Sequence, residues 1–171
     1  MGLLDYTPNT SRIKICGLRT PADIEAVIKA QVDAIGLVFY PPSTRAIAPE
    51  DAGALIGQLP KGIDAVGLVV NPTPNQIEEI RANAAITMWQ FHGDETPAQC
   101  RAPARPYLRA VRMGPGVDLL DSSSSFSDAQ ALLLDALRHQ LHQLGGARVQ
   151  LAAVLVQEER DRHAPVALTR D

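Results

Sequence analysis

The sequence has few cysteines, no long apolar run and almost no excess charge, and each shortage excludes a class of protein. Its two cysteines, Cys16 and Cys100, form no CxxC pair, so neither a disulfide framework nor a zinc cluster is indicated. Its longest apolar runs have the length of a strand, which is too short for a transmembrane helix. The net charge of -3 provides no general field that would attract nucleic acid or an anionic membrane, so an anionic ligand needs a local site.

The remaining composition is typical of a globular domain in a reducing compartment. With 171 residues and 46% hydrophobic content, the chain can bury a sizeable core. Residues 1–12 are polar and contain no apolar segment of the kind found in signal peptides. Together with the two widely separated cysteines, these features predict a cytoplasmic protein.

Strand-sized apolar runs alternate with helical patterns along the chain. The runs occupy residues 12–16, 34–39, 64–70, 86–91, 107–111 and 131–134. Proline start signals precede helical patterns at residues 22–30, around Leu55 and at residues 77–82. Runs that are apolar throughout indicate parallel strands buried on both faces. The pattern predicts an α/β fold, either an open doubly wound sheet or a (β/α)8 barrel, and the lack of GxGxxG after the first run disfavours a dinucleotide-binding sheet.

Polar and unusual side chains gather where the predicted strands end. They are Lys14, Cys16 and Gly17, residues 40–45 including Arg45, Asn71, Gln90, His92 with Gly93 and Asp94, and Asp135. In a (β/α)8 barrel, functional side chains collect at this end of the strands, so the chain fits that architecture.

Taken singly, these residues have simpler explanations. A lone cysteine is more often a small buried hydrophobe, and an aspartate after a strand often caps the next helix. Arg45 alone would be a surface arginine in a proline-rich turn, and His92 alone a turn histidine. A metal site built from Cys16 and His92 has no spacing signature. The serines at 122–125 are expected to form a flexible polar loop.

Five segments taken together are far more specific. They are residues 14–18 (KICGL), 36–45 (GLVFYPPSTR), 66–71 (VGLVVN), 90–95 (QFHGDE) and 132–135 (LLLD). In this order and spacing, over about residues 12 to 136, the chain resembles phosphoribosylanthranilate isomerase of tryptophan biosynthesis. The resemblance implies a (β/α)8 TIM barrel, a small phosphosugar-anthranilate substrate and no cofactor. From the charge and the residue spacing, no metal, nucleic acid or membrane partner is expected.

That family catalyses an Amadori rearrangement of an aminoaldose to an aminoketose. An acid protonates the furanose ring oxygen so that the ring opens to an iminium, and a base removes the proton from the neighbouring carbon. The resemblance implies that Cys16 is the base and Asp135 the acid. A cysteine acts as a base only as thiolate, which positive charge from Lys14 or Arg45 would favour. An aspartate acts as an acid only while protonated near neutrality, which desolvation favours.

The remaining candidates are expected to bind the substrate. Arg45 follows two prolines and a Ser-Thr pair, a stiff loop that would aim its guanidinium at the anthranilate carboxylate. Lys14, Gln90 and His92 are expected to line the same mouth.

Residues 137–171 do not continue the pattern. The family binds its phosphate on loops after strands seven and eight, and this segment has no Gly-rich motif beyond Gly145-Gly146. We therefore predict a partial barrel of about six βα units in residues 1–136, with the last two units missing or replaced, and an atypical tail in residues 137–171. One hypothesis is a frameshift near codon 136, because the tail's codons read one base forward permit Gly-Gly-x-Gly-Phe-Asn-Trp. A natural truncation and an engineered end are the alternatives.

Two functions follow from this sequence. The first is an isomerase with Cys16 and Asp135 in place but without the usual phosphate-binding segments, and hence with weak or absent turnover. The alternative is a non-catalytic remnant or fragment that needs a partner chain to complete the barrel. An incomplete barrel also predicts low stability and self-association through unpaired strand edges. A phosphosugar isomerase of histidine biosynthesis is disfavoured, because those barrels begin with an aspartate where this chain has Cys16.

Overall fold

Strands and helices alternate throughout the part of the chain that the computed structural model describes, which is residue 3, residues 12–114 and residues 116–136. In chain order the elements are β1 Lys14–Cys16, α1 Pro21–Lys29, β2 Ala34–Val38, α2 Pro49–Ile56, β3 Asp64–Val69, α3 Pro74–Asn83, β4 Met88–Phe91, α4 Pro97–Arg101, β5 Tyr107–Met113, α5 Leu119–Ser125 and β6 Ala131–Ala136. Each predicted strand is found, with ends that differ by no more than two residues from the expectation.

Threonine followed by proline starts three of these helices. Thr20, Thr73 and Thr96 each cap a helix by accepting a hydrogen bond from a backbone N–H in the first turn. The proline that follows has its backbone preset for the first helical position and has no N–H to leave unpaired. This signal also begins α4, a short helix absent from the sequence-based expectation.

The serine-rich segment 122–125 is helical, so the prediction of a loop there was wrong. It forms the end of α5, whose start is capped by Asp118. The Asp118 carboxylate accepts from the backbone N–H groups of Leu120 at 2.7 Å and Asp121 at 3.3 Å. An aspartate cap satisfies N–H groups that a serine-rich helix would otherwise leave to solvent.

The strand order decides between the two architectures that the sequence left open. All six strands are parallel and are hydrogen-bonded in the order β1-β2-β3-β4-β5-β6. A doubly wound sheet reverses its strand order at a switch point, whereas a (β/α)8 barrel adds each new strand beside the last. The six strands therefore form the greater part of a TIM-barrel-type sheet.

Alternation along the strands divides the core into two layers. The outer layer packs the sheet against the helices and is built around Trp89, Phe91 and Tyr107. The inner layer includes Val66, Met88 and Leu108, which are all buried. Since successive side chains of a strand point to opposite faces, each strand contributes to both layers.

Two sequence-based expectations concern a part of the chain that the structure does not describe. The division after residue 136 and the frameshift hypothesis both rest on residues 137–171, which lie outside the described residues. Among the helices that the structure does describe, none is both long and apolar enough to cross a membrane.

The close contact between α2 and α3 gives a test of the packing. A Cβ on Gly53 would overlap the carbonyl oxygen of Asn83, whereas one on Gly57 would meet its nearest neighbours at 3.6 Å. We expect Gly53→Ala to lower the free energy of unfolding by about 1–3 kcal/mol, because the two helices must separate. Gly57→Ala, the matched control, should be neutral or slightly stabilising. Urea unfolding measures the free energy of unfolding of both variants. Equal changes in the two variants would contradict the packing described.

Candidate active site

The thiol of Cys16 lies on the inner face of the sheet at the carboxyl end of β1. It is 8% exposed and packs with Val38 of β2 and Leu68 of β3. Gly36, its partner in the register, provides the necessary space, because a Cβ there would lie 2.5 Å from Cys16 Sγ. The neighbouring strand thus packs directly against the thiol.

Arg45 reaches the backbone of Cys16 from the loop after β2. Its Nη1 donates to the carbonyl oxygen of Cys16 at 3.3 Å, and its backbone N–H donates to Ser43 Oγ at 3.1 Å. Gly17 has a φ of +91°, and a Cβ on it would meet Arg45 Cδ at 2.6 Å. Both the backbone conformation and the close approach therefore require glycine. The guanidinium rests against the backbone that carries the Cys16 thiol.

Gln90, His92 and Asp135 form a hydrogen-bonded chain on the same face. Gln90 Nε2 lies 3.3 Å from His92 Nδ1, and His92 Nε2 lies 2.9 Å from Asp135 Oδ2. An amide nitrogen can only donate, so Nδ1 accepts and the ring proton is on Nε2, which donates to Asp135. The side chains of His92 and Asp135 are 15% and 28% exposed. Gln90 is 2% exposed, and its Oε1 has no hydrogen-bond partner among the described residues.

Lys14 and Gln90 lie within strands, as the predicted runs have them, whereas Asp135 lies within β6, one residue beyond the predicted run 131–134. Apolar runs were used to locate the strands, but backbone pairing continues beneath polar side chains. Asp135, for example, is paired with Arg112 of β5 in the register. Lys14 precedes Cys16 by two residues and so faces the same side of the sheet.

Comparison with known proteins identifies the family of the chain. The model of the family N-(5'-phosphoribosyl)anthranilate (PRA) isomerase matches residues 13–169. The chain belongs to the PRA isomerase family. The resemblance drawn from the five sequence segments is thereby confirmed.

Relatives and solved structures of PRA isomerases agree with the family model. The chain is 55% identical over 126 residues to the isomerase of Methylibium petroleiphilum, covering 74% of this chain and 59% of that relative. One PRA isomerase structure, in complex with reduced 1-(o-carboxyphenylamino)-1-deoxyribulose 5-phosphate, is 32% identical with a TM-score of 0.68, over 75% of this chain and 66% of that chain. A structure of monomers generated from the dimeric Thermotoga maritima enzyme is 31% identical with a TM-score of 0.67, over 74% and 64%. The chain spans about three fifths of the length of the curated relatives that it matches.

Three charged residues near the site were not assigned a role from the sequence. Glu95 lies just after β4, and Arg109 and Arg112 lie within β5. Arg112 Nη2 donates to the carbonyl oxygen of His92 at 3.2 Å. One feature of the sequence could have revealed them. Two arginines lie inside an otherwise apolar strand, and a buried arginine needs a partner of opposite charge or a hydrogen-bond acceptor.

A metal ion or an apolar ligand would need a different site in the described part of the chain. No group of three or more His, Cys, Asp or Glu side chains there is arranged to hold a metal ion. An apolar cavity of about 260 Å³ opens between α3 and α4, lined in part by Ile77, Phe91 and Pro103. It lies on the helical side of the sheet, opposite the face that carries Cys16 and Asp135, so it takes no part in the candidate active site.

The two cysteines should differ in reactivity. Cys100 is fully buried in the outer layer, and this burial raises the pKa of its thiol to about 12. A raised thiol pKa keeps the group protonated, so below that pH Cys100 is a poor nucleophile as well as an inaccessible one. We expect iodoacetamide to label the native protein at Cys16 alone at neutral pH, and at both cysteines in urea. Mass spectrometry of the peptides measures this, and native labelling of Cys100 at a similar rate would contradict it.

Proposed function

We propose that the chain catalyses the Amadori rearrangement of N-(5-phosphoribosyl)anthranilate to the carboxyphenylamino-deoxyribulose phosphate, a step of tryptophan biosynthesis. The observation that carries the proposal is that Cys16 and the His92–Asp135 pair lie on one face of a barrel-type sheet, at the same end of its parallel strands. Membership of the PRA isomerase family supports it. A related isomerase was also solved with a reduced deoxyribulose phosphate carrying a carboxyphenylamino group.

Asp135 is the proposed acid. Its Oδ2 accepts the hydrogen bond from His92 Nε2, so the acidic proton belongs on Oδ1. Transfer of that proton to the furanose ring oxygen lets the bond between this oxygen and C1 break, and the nitrogen lone pair forms the iminium. The imidazole N–H then stabilises the carboxylate that remains, at the moment when negative charge develops.

Cys16 is the proposed base. As a thiolate it takes the proton from C2, and the electron pair of that C–H bond neutralises the iminium to give an enamine, which tautomerises to the ketose. The Arg45 guanidinium, bonded to the Cys16 carbonyl oxygen, holds a positive charge against the backbone of the residue that carries the thiol. The chemistry needs only these protons, and no electrons are exchanged with another molecule.

Substrate binding completes the proposal. One Arg45 N–H is used on the Cys16 carbonyl, which leaves guanidinium donors for the anthranilate carboxylate. Lys14 and Gln90 face the same inner side of the sheet and are proposed to contact the sugar phosphate.

A cytoplasmic location is also part of this proposal. The two cysteines are unpaired, which suits a reducing compartment.

Matched cysteine variants test the chemistry. We expect Cys16→Ala and Asp135→Asn each to lower kcat by at least about 100-fold, because each removes one proton-transfer group. The side-chain oxygen of the introduced asparagine can still accept from His92, so that substitution removes the proton and keeps the geometry. Cys100→Ala is the control and should leave kcat unchanged, since Cys100 lies in the outer layer.

The kcat of the parent chain and of the three variants is measured with phosphoribosylanthranilate as substrate. The loss of the substrate's fluorescence reports its conversion. An inactive parent chain would overturn the proposed activity and favour the alternative of a fragment that needs a partner chain. An active parent with an equally active Cys16→Ala variant would overturn the role of Cys16.

Self-association through the sheet edges is a further part of the proposal. β1 and β6 form the edges of the described sheet. Parallel edges of this kind present backbone donors and acceptors to a second chain. The Thermotoga maritima relative is described as dimeric. We expect light scattering after size exclusion to give a mass above that of the monomer at micromolar concentration, and a monomeric mass at every concentration would contradict it.

A further inference from the structure

Behind the His92–Asp135 pair, on the outer side of the sheet, lies a buried ion pair that the proposed chemistry does not use. Arg109 of β5 donates from Nη1 to Glu95 Oε2 at 2.6 Å. The Glu95 side chain is 2% exposed and that of Arg109 is 12% exposed. The Arg109 guanidinium also lies over the ring of Phe126, with 4.8 Å between its Cζ and the ring centroid. Solvent is therefore nearly excluded from both charges.

The Glu95 carboxylate binds the backbone of two loops at once. Oε1 accepts from the N–H of Asn71, just after β3, at 2.7 Å. Oε2 accepts from the N–H of Gly93, just after β4, at 2.9 Å. Arg109 Nη2 in turn donates to the carbonyl oxygen of Gly93 at 2.8 Å. The ion pair thus fixes the peptide groups on both sides of Gly93.

Asn71 strengthens the same connection from the other side. Its φ is +47°, in the left-handed region, and its Oδ1 accepts from the N–H of Asp94 at 2.8 Å. A Cβ on Gly93 would lie 2.7 Å from Asn71 Cγ and 2.8 Å from Asn71 N, so no side chain fits there. The loops after β3 and β4 therefore have a single mutual arrangement, which the Glu95 carboxylate holds.

His92 is the residue that this arrangement positions. It immediately precedes Gly93, its N–H donates to the carbonyl oxygen of Val69 at 3.0 Å, and its ring donates to Asp135 Oδ2 at 2.9 Å. A rotation of the peptide after His92 would redirect the imidazole and lengthen that bond. Directing a hydrogen bond of this length needs a rigid support behind it.

Stability alone does not explain why two charges lie here. The cost of removing a carboxylate and a guanidinium from water offsets most of their attraction, and an apolar pair of similar volume is often as stable. What an apolar pair could not provide is the set of hydrogen bonds to the N–H groups of Asn71 and Gly93 and to the Gly93 carbonyl. The ion pair therefore serves to orient the backbone at Asn71 and Gly93.

We propose that Glu95 and Arg109 are positioning residues that hold His92 in hydrogen-bonding register with Asp135. The proposal deepens the proposed function, on which it rests for the role of Asp135 as the acid. Neither residue touches the reacting atoms. Both act through the backbone of Gly93.

The test compares Glu95→Gln with Asp33→Asn. The glutamine side chain retains the shape and one acceptor oxygen but loses the charge that pairs with Arg109. Asp33 makes a matched ion pair with Arg12, at 2.7 Å and with side chains 18% and 12% exposed, and its carboxylate also accepts a backbone N–H, from Ile13. That pair lies at the amino-terminal end of the strands, away from His92.

Two readouts are needed, one of them independent of turnover. The ¹⁵N and ¹H signals of the His92 ring, assigned with a His92→Gln variant, report the tautomer and the hydrogen bond to Asp135. We expect Glu95→Gln to shift these signals and to lower kcat roughly 10- to 100-fold with a smaller change in KM. Asp33→Asn should leave the His92 ring signals and kcat unchanged.

The outcomes separate this proposal from the proposed function. A folded Glu95→Gln protein with unaltered His92 signals would overturn the positioning role, whether or not the parent turns over substrate. His92 ring signals that shift in Glu95→Gln but not in Asp33→Asn would support the positioning role, even if the parent chain is inactive. If Glu95→Gln does not fold, the double variant Glu95→Gln/Arg109→Met, which leaves no lone buried charge, replaces it in the same comparison.

Discussion

Parallel pairing of consecutive strands is the constraint on which the candidate site depends. Each strand adds beside the previous one, so the carboxyl ends of all six described strands lie at one end of the sheet. Side-chain alternation then assigns every second residue to the inner face. Cys16 in the first strand and Asp135 in the sixth therefore face the same side, although most of the described chain separates them. A one-residue slip in either strand would move its functional side chain to the helical side.

Local sequence patterns made the alternation of strands and helices predictable. A strand buried on both faces needs an apolar run, and a helix after a short loop needs a cap, so the βα rhythm can be read residue by residue. The choice between barrel and doubly wound sheet could not be read in that way, because it depends on which strands pair and not on what each contains. It came from the family resemblance, and the strand order then confirmed it. The positions of Cys16 and Asp135 followed, since they lie at or next to the ends of strands that the sequence located.

The partners of the site residues could not be predicted in the same way. His92 was expected to contact the substrate, and that role stays a prediction, but its bond to Asp135 joins residues from two separate βα units. The contact between Glu95 and Arg109 is likewise set by how the loop after β4 meets β5. Hydrophobic periodicity gives no information on such contacts, because it reports the face of a residue and not its neighbour. The helical serines of α5 were missed for a different reason, since a single aspartate cap outweighed their low helix propensity.

Burial separates the ionisable groups that support the fold from those proposed to react. Burial raises the pKa of the Cys100 thiol and that of the Tyr107 hydroxyl, whose hydrogen bond to Asp128 raises it further, so both stay neutral in the outer layer. Glu95 is sealed as well but has a cation and backbone donors around it. Asp135 and His92 are several-fold more exposed than Glu95, at 28% and 15% against 2%. A general acid must regain its proton after each turnover, which a sealed carboxylate cannot do readily. The sheet therefore places the charges of Glu95 and Arg109 on the helical side and leaves the inner face to the groups that are proposed to exchange protons with a substrate.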